Sequence, residues 1–389
     1  MDALATTMTT SDHDDPVLYP SSSPPPDGLQ FCASSNYSSS APHQTLLAVQ
    51  MTYVKAHPYI SLGICIYGVI TNIINIIVFT KRNMRNSVNC ILTGIAVADI
   101  VTMSSYIPFA YFYYLMDRQT SLPSLPWNRF MAIYINMTLI SHTSSIWLAV
   151  IMAAMRYFFI RSASHGTKTM DCRSTLVVIL VTFLGATTVI IPNCLATTLE
   201  PCYHNESRRI HWHLSVPRFG QKDSNILHTV TFFIYPIAGK IIPCTLISIF
   251  GGLLLHTLRE TDKRSRRLKG ESSSSGNGNN QTRRTTIMLL AIIALYILSE
   301  LPQSILVLLC IFVTDFFTNV YALLGDFIDL LALVNTALTF VTYIAMSTQF
   351  RTTLCEMGCA WLRAFTCQRY GHKSALQSTK YTMTTTSAV

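Results

Sequence analysis

Apolar residues in this chain come in long unbroken stretches, without the alternation of a half-buried strand or the one-sided stripe of a surface helix. The stretches are Tyr59–Thr80, Val88–Met116, Phe130–Met155, Ser174–Cys194, Ile226–Leu258, Thr285–Val313 and Val320–Gln349, here spans 1 to 7. A helix needs about 20 mostly apolar residues to cross a hydrocarbon core about 30 Å thick, and every run is long enough. Spans 1, 3 and 4 carry no Asp, Glu, Lys or Arg, and the others hold only Asp99, Lys240, Glu300, Asp326 and Asp329. So few charges can be accommodated inside a bundle. The pattern predicts an all-α membrane protein, a seven-transmembrane helix bundle.

The polar segments set the organisation around it. Residues 1–58 are rich in Ser, Thr, Pro and Asp, with a low-complexity patch at Ser21–Pro26, and are expected to be a disordered extracellular tail. Spans and connections fill 59–349, which leaves no room for a second folded domain. Within them, 259–284 is expected to be flexible: Arg259–Lys269 is basic and compatible with a helix, and Glu271–Gln281 is a Ser/Gly/Asn linker. Residues 350–389 form a tail whose start, with Trp361, Leu362 and Phe365 beyond Phe350-Arg351, fits a short amphipathic helix.

Half of the residues are hydrophobic and 12% are charged, against roughly 25% charged in a soluble domain. The net charge of +9 would suit nucleic acid, but its distribution describes topology instead. Lys81, Arg82, Arg85, Arg156, Arg161, Lys168, Arg173, the eight basic residues of 259–284 and the five of 351–380 fall on one side. The positive-inside rule then places the N-terminus outside and the C-terminus inside, with no nucleic-acid partner implied. Met1–Lys55 lacks the basic start and apolar core of a cleavable signal, so span 1 is expected to act as its own insertion signal. Asn36 and Asn205 are glycosylation sequons on the predicted outer side, whereas Asn136 lies within span 3 and Asn280 on the cytoplasmic side. Of 11 cysteines, most lie in spans or on the reducing side. Cys32 and Cys202 are the extracellular candidates for a bridge, and Cys355, Cys359 and Cys367, just past span 7, are candidates for palmitoylation. The terminal Ser387-Ala388-Val389 fits the pattern captured by PDZ domains.

Across Tyr59 to Arg351 the order of residues resembles the rhodopsin-like G-protein-coupled receptors. The matching positions are Asn72, Leu92–Asp99, Met155-Arg156-Tyr157, Pro243, Pro302, and Tyr343 followed by Phe350-Arg351. Thr80–Asn86, Ser299–Gln303 and Gly325–Asn335 look more narrowly like invertebrate receptors for FMRFamide-like peptides, especially the myosuppressin-receptor group. The chain departs from the larger pattern at several points. Met155 stands where an acid usually precedes the span 3 arginine, Glu300 replaces a span 6 tryptophan, Thr339–Tyr343 replaces NPxxY, and Met131 stands where a cysteine usually bridges to the second outer loop.

The resemblance implies a multi-pass plasma-membrane receptor for an extracellular neuropeptide that activates heterotrimeric G proteins, with arrestin and a PDZ protein as further partners. Tyr106, Phe109, Tyr113, Thr138, His142, Lys240, Glu300, Asp326 and Asp329 are expected in the ligand pocket. For Lys240 and Glu300, at similar depth relative to Pro243 and Pro302, mutual neutralisation is the alternative. Arg156, Tyr157, Arg264, Arg266, Arg267, Lys269 and Tyr343 are expected to serve G-protein coupling, with membrane anchoring the plainer reading of Arg156. Pro243 and Pro302 are candidate hinges, since proline removes a helical hydrogen bond. Asp99, Ser145 and Asn335, with Asn72 and Thr339 around them, are either a sodium site or a structural hydrogen-bond network; no other cofactor is implied. The sequence holds no nucleophile–base pair, metal-ligand spacing or Walker loop, so an enzyme is not expected. A receptor for another ligand class remains the alternative. A transporter is disfavoured because inverted repeats and broken helices are not apparent.

Overall fold

The structure, a computed structural model, describes residues 30–31, 41–112, 125–162, 171–204, 209–215, 226–268, 277–313, 316 and 320–358. Among the described residues, seven helices are long and apolar enough to cross a membrane: Lys55–Phe79, Ser87–Ala110, Leu125–Arg161, Cys172–Ala196, Tyr235–Thr261, Thr286–Cys310 and Leu323–Met346. They correspond one for one to the predicted spans. The described residues also include a small sheet, with β1 (Gln30–Phe31) parallel to β2 (Thr198–His204), and β2 antiparallel to β3 (Arg209–Ser215).

The helix ends differ from the expectation. The helix of span 1 begins at Ala41 and runs through Pro58 to Phe79, and Gln30–Phe31 is paired in the sheet. The segment 41–57 contains Leu46, Leu47, Val49, Met51 and Val54, enough apolar residues to continue a helix that composition averaged over the whole tail conceals. The helix of span 5 continues to Leu268 and that of span 6 starts at Asn277, so the region expected to be flexible is helical at both ends and 269–276 lies outside the described residues. Straight-chain Arg, Lys and Glu residues carry a helix past the apolar run without penalty. Residues 348–358 are helical, with Phe350 wholly buried against Phe79, Phe340 and Tyr343.

Local chemistry fixes two starts. Asn86 accepts from the Asn89 N–H at 2.9 Å, and Asp171 accepts from the Ser174 N–H at 3.2 Å, each capping a first turn. The bonds from Ser174 hold the Asp171 carboxyl below its usual range. Between spans 1 and 2, Gly68 permits a close approach, since a Cβ there would collide with the Met103 thioether. One large core, including Leu92, Leu148, Met152, Ile247, Ile292 and Tyr343, fills the half of the bundle away from the sheet. A smaller cluster around Met103, Tyr106 and Leu333 lies nearer to it. Met131 offers no thiol to bridge to the hairpin. Asn128 makes a connection instead, donating through Nδ2 to the Trp212 carbonyl of β3 at 2.6 Å.

Span 5 is not a plain α-helix. Ile226–Ile234 is followed by a π-helical turn, Tyr235–Ile241, before α-helix resumes at Ile242–Leu268. The Ile242 N–H reaches back to the Ile237 carbonyl. That leaves the Ala238 carbonyl without its α partner, and its π partner would be Pro243, which has no N–H. Trp147 of span 3 supplies the missing donor, Nε1 lying 3.1 Å from that oxygen.

Candidate functional site

At the sheet end of the bundle, the part of the first helix just before span 1 and the last turns of the span 2 helix bring polar tips onto an aromatic wall. His57 Nε2 is 2.8 Å from the Tyr106 hydroxyl, and His57 Nδ1 is 3.1 Å from that of Tyr53. Tyr106 meets Phe109 edge-on, with centroids 5.4 Å apart, and Phe109 stacks on Tyr134 at 4.9 Å. The ladder continues through Phe130, Trp127 and Phe112. Such pairs prefer the offset and edge geometries seen here.

Span 7 aims a charge at this wall. Asp329 is exposed, yet its carboxylate interacts electrostatically with the phenols of Tyr53, Tyr106, Tyr134, Tyr235 and Tyr321. Those residues come from spans 1, 2, 3, 5 and 7, so one acid acts on tyrosines from five helices. Asp326, half-buried, acts on Tyr53, His57 and Tyr106. Thr138, also half-buried, lies 3.5 Å from Ser105 across spans 2 and 3.

Lys240 and Glu300 turn to each other. Lys240 Nζ donates to Glu300 Oε2 and to Gln303 Oε1, both at 2.9 Å, and the Lys240 and Glu300 side chains are 2% and 1% exposed. His142, 20% exposed, brings Nε2 to 3.2 Å from Glu300 Oε1. The expected ligand contacts at Lys240 and Glu300 are thus enclosed in an internal cluster, because a buried charge needs an opposite charge and donors around it. His142 and Gln303 are the half-buried members of the cluster.

Deeper in the bundle, Ser145 donates to Asp99 Oδ1 at 3.2 Å and lies 2.8 Å from the Tyr296 hydroxyl. Since the Ser145 proton is committed to the carboxylate, Tyr296 must donate to Ser145. Spans 2, 3 and 6 are joined in one chain. Asp99 Oδ2 is buried without a partner. Asn335 and Thr339 are buried, while Asn72 bonds the Gly68 carbonyl in its own helix.

At the opposite end Arg156 is half-buried, its Nε enclosed without a hydrogen-bond partner. Its guanidinium interacts with Tyr343, whose hydroxyl is likewise unpartnered and whose ring lies against Phe79 at 4.8 Å and Phe350 at 5.4 Å. Met155 packs into the core beside it. Tyr157 is occupied otherwise, accepting from Arg161 at 2.6 Å.

Residues 59–361 match the profile of the serpentine type 7TM GPCR chemoreceptor family Srw. The chain is a G-protein-coupled receptor of that family. It is 30% identical to the "G-protein coupled receptor dmsr-1" of Caenorhabditis elegans, over 79% of this chain and 69% of that protein. It is 24% identical to the "Sex peptide receptor-related protein 2" of C. elegans, over 78% and 71%, and 23% identical to the "Sex peptide receptor" of Drosophila melanogaster, over 75% and 70%. The receptor is therefore a multi-pass plasma-membrane protein and not an enzyme.

Several expected positions of the receptor lie outside the described residues: Tyr113, Cys32, Asn36, Asn205, Lys269, Cys359, Cys367, Ser387 and Val389. Arg264, Arg266 and Arg267 fall on the helix that ends at Leu268, and Cys202 lies in β2 opposite Gln30 and His211. Cys355 is free and exposed. Pro302 lies inside the continuous helix Asn277–Phe312, whereas the irregular turn of span 5 precedes Pro243. Tyr53, His57, Tyr134, Tyr235 and Tyr321 were not anticipated at the site.

Proposed function

We propose that this receptor binds an FMRFamide-like neuropeptide on its sheet side, taken as extracellular, and promotes nucleotide exchange on a heterotrimeric G protein at the end bearing Arg156. The observation that carries the reading is the exposed Asp329 carboxylate, which acts electrostatically on five tyrosine hydroxyls, two of them belonging to or adjoining a ladder of stacked rings. That combination suits an arginine next to an aromatic residue. The guanidinium can donate two charge-assisted bonds to a carboxylate, and the neighbouring ring can lie against Phe109 and Tyr134. Similarity to proteins named as peptide receptors supports the peptide class.

Arg156, Tyr343 and the basic helix ending at Leu268 would meet the G protein. Arrestin, a PDZ protein at Ser387 and Val389, and acyl chains at Cys355 are further proposals. Asp99, with one carboxylate oxygen unpartnered beside Ser145, fits a sodium ion, with Asn335 near the same depth. Such an ion would supply the positive charge that this carboxylate otherwise lacks.

The test compares the peptide Phe-Met-Arg-Phe-amide with its citrulline analogue on the parent receptor and on Asp329→Asn. Loss of a charge-assisted pair should cost the arginine peptide about tenfold or more in potency and leave the neutral peptide nearly unaffected. Equal losses for the two peptides would refute the acidic contact.

A further inference from the structure

The cluster of Lys240, Glu300, Gln303 and His142 sits beside a π-helical turn in one helix and a proline in the next. Lys240 belongs to the π-helical turn Tyr235–Ile241 of span 5. Glu300 and Gln303 flank Pro302, the proline inside span 6. π turns and prolines are where helices bend, because the regular ladder of backbone bonds is already broken there. The ion pair therefore joins the π turn of one span to the proline-bearing turn of the next. With side-chain exposures of 2% and 1%, no water is at hand to replace either partner if the spans shift. In a bilayer, an isolated charge is the state to be avoided.

An apolar pair of similar volume would fill the same space at no electrostatic cost, so packing alone does not account for the ions. What they add is direction. A 2.9 Å bond from Lys240 to Glu300 and another to Gln303 hold only one relative placement of the two helices. His142, on span 3, is a partly exposed member and touches the same carboxylate at 3.2 Å.

We propose that Lys240 and Glu300 are positioning residues that lock span 5 to span 6 in the ligand-free receptor, and that His142 is the part of the lock reached by an occupied pocket. The inference rests on the receptor assignment but not on the identity of the ligand. It removes Lys240 and Glu300 from the set of ligand contacts. Separating the pair shifts the population of the bundle toward the state that acts on the G protein, whether the cause is a ligand or a mutation.

The experiment uses the full-length receptor in membranes and measures ligand-free nucleotide exchange on a panel of heterotrimeric G proteins, normalised to surface receptor, with receptor-free membranes as baseline. Lys240→Met and Glu300→Gln should each raise ligand-free exchange about fivefold or more, the lower end of common coupling effects. The charge exchange Lys240→Glu with Glu300→Lys should bring it back toward the parent level, a rescue that loss of packing would not produce. Parent-level exchange in both single variants, or a charge-exchange variant as active as they are, overturns the proposal. If the single variants do not reach the surface, Gln303→Leu removes one Lys240 partner without isolating a charge. A smaller rise there supports the lock, and no rise overturns it. Exchange at the receptor-free baseline for the parent and every variant, across the whole panel, would refute the assignment of coupling itself, a result distinct from failure of the lock.

Discussion

Replacing Ser145 by Ala should destabilise the bundle more than replacing its partner Tyr296 by Phe, and the two losses should not add. Ser145 is 3% exposed and its hydroxyl serves two neighbours, Asp99 at 3.2 Å and Tyr296 at 2.8 Å. Interhelical hydrogen bonds in membranes contribute about 0.6 kcal/mol on average and up to about 1.7 kcal/mol, and bonds to charged groups lie toward or above the upper end. Tyr296→Phe removes one bond and leaves Ser145 donating to Asp99, a loss of about 0.6–1.7 kcal/mol. Ser145→Ala removes both bonds and takes the remaining donor from a carboxylate whose other oxygen is already unpartnered, a loss of about 2–3 kcal/mol. The double variant should match Ser145→Ala to within about 0.5 kcal/mol, the usual margin for such comparisons. Thermal unfolding of purified receptor in detergent, followed by fluorescence at fixed sodium concentration, gives all four corners of the cycle. A double variant whose loss equals the sum of the single losses would show that Ser145 and Tyr296 do not share a bond.

Arg156→Ala should abolish coupling while leaving peptide binding at the surface intact, measured as nucleotide exchange beside radioligand binding; full coupling by a normally expressed variant would contradict the role. Because Arg156 Nε has no partner and Met155 cannot offer a charge, the unliganded receptor should show exchange above baseline, and Met155→Asp should lower it several-fold by supplying an acid; equal exchange would refute this. Removing Ser387, Ala388 and Val389 should abolish pull-down by a class I PDZ domain without altering peptide potency, and undiminished pull-down would make the motif a coincidence.

The seven spans could be read from the sequence because a run of more than about 20 apolar residues has few other fates. Their ends could not. Hydropathy stops at Leu258, whereas the helix runs to Leu268 on residues chosen by backbone propensity rather than by lipid. At the site, Asp329, Tyr106 and Phe109 came from resemblance, and the structure sets them together. Tyr53, Tyr134 and Tyr235 act on the same acid from three other helices, and no periodicity within one helix encodes that meeting. Spacing from the prolines left Lys240 and Glu300 open to a ligand contact or an internal pair, and the fold adopts the pair. The π turn was invisible because Pro243 marked the irregularity but not its extent, which lies in the preceding Tyr235–Ile241.

Trp147 and Pro243 stand 96 positions apart, yet one carbonyl binds their fates. A non-proline residue at 243 would bring an N–H to the oxygen that Trp147 now satisfies, and the two donors would compete for it. A residue without a donor at 147 would strand the same oxygen for as long as the proline stays. Each change alone carries a penalty that the other can relieve, so the favourable route between sequences at these sites runs through paired replacement. For anyone grafting span 3 or span 5 from a related receptor, the two positions are a single unit of exchange.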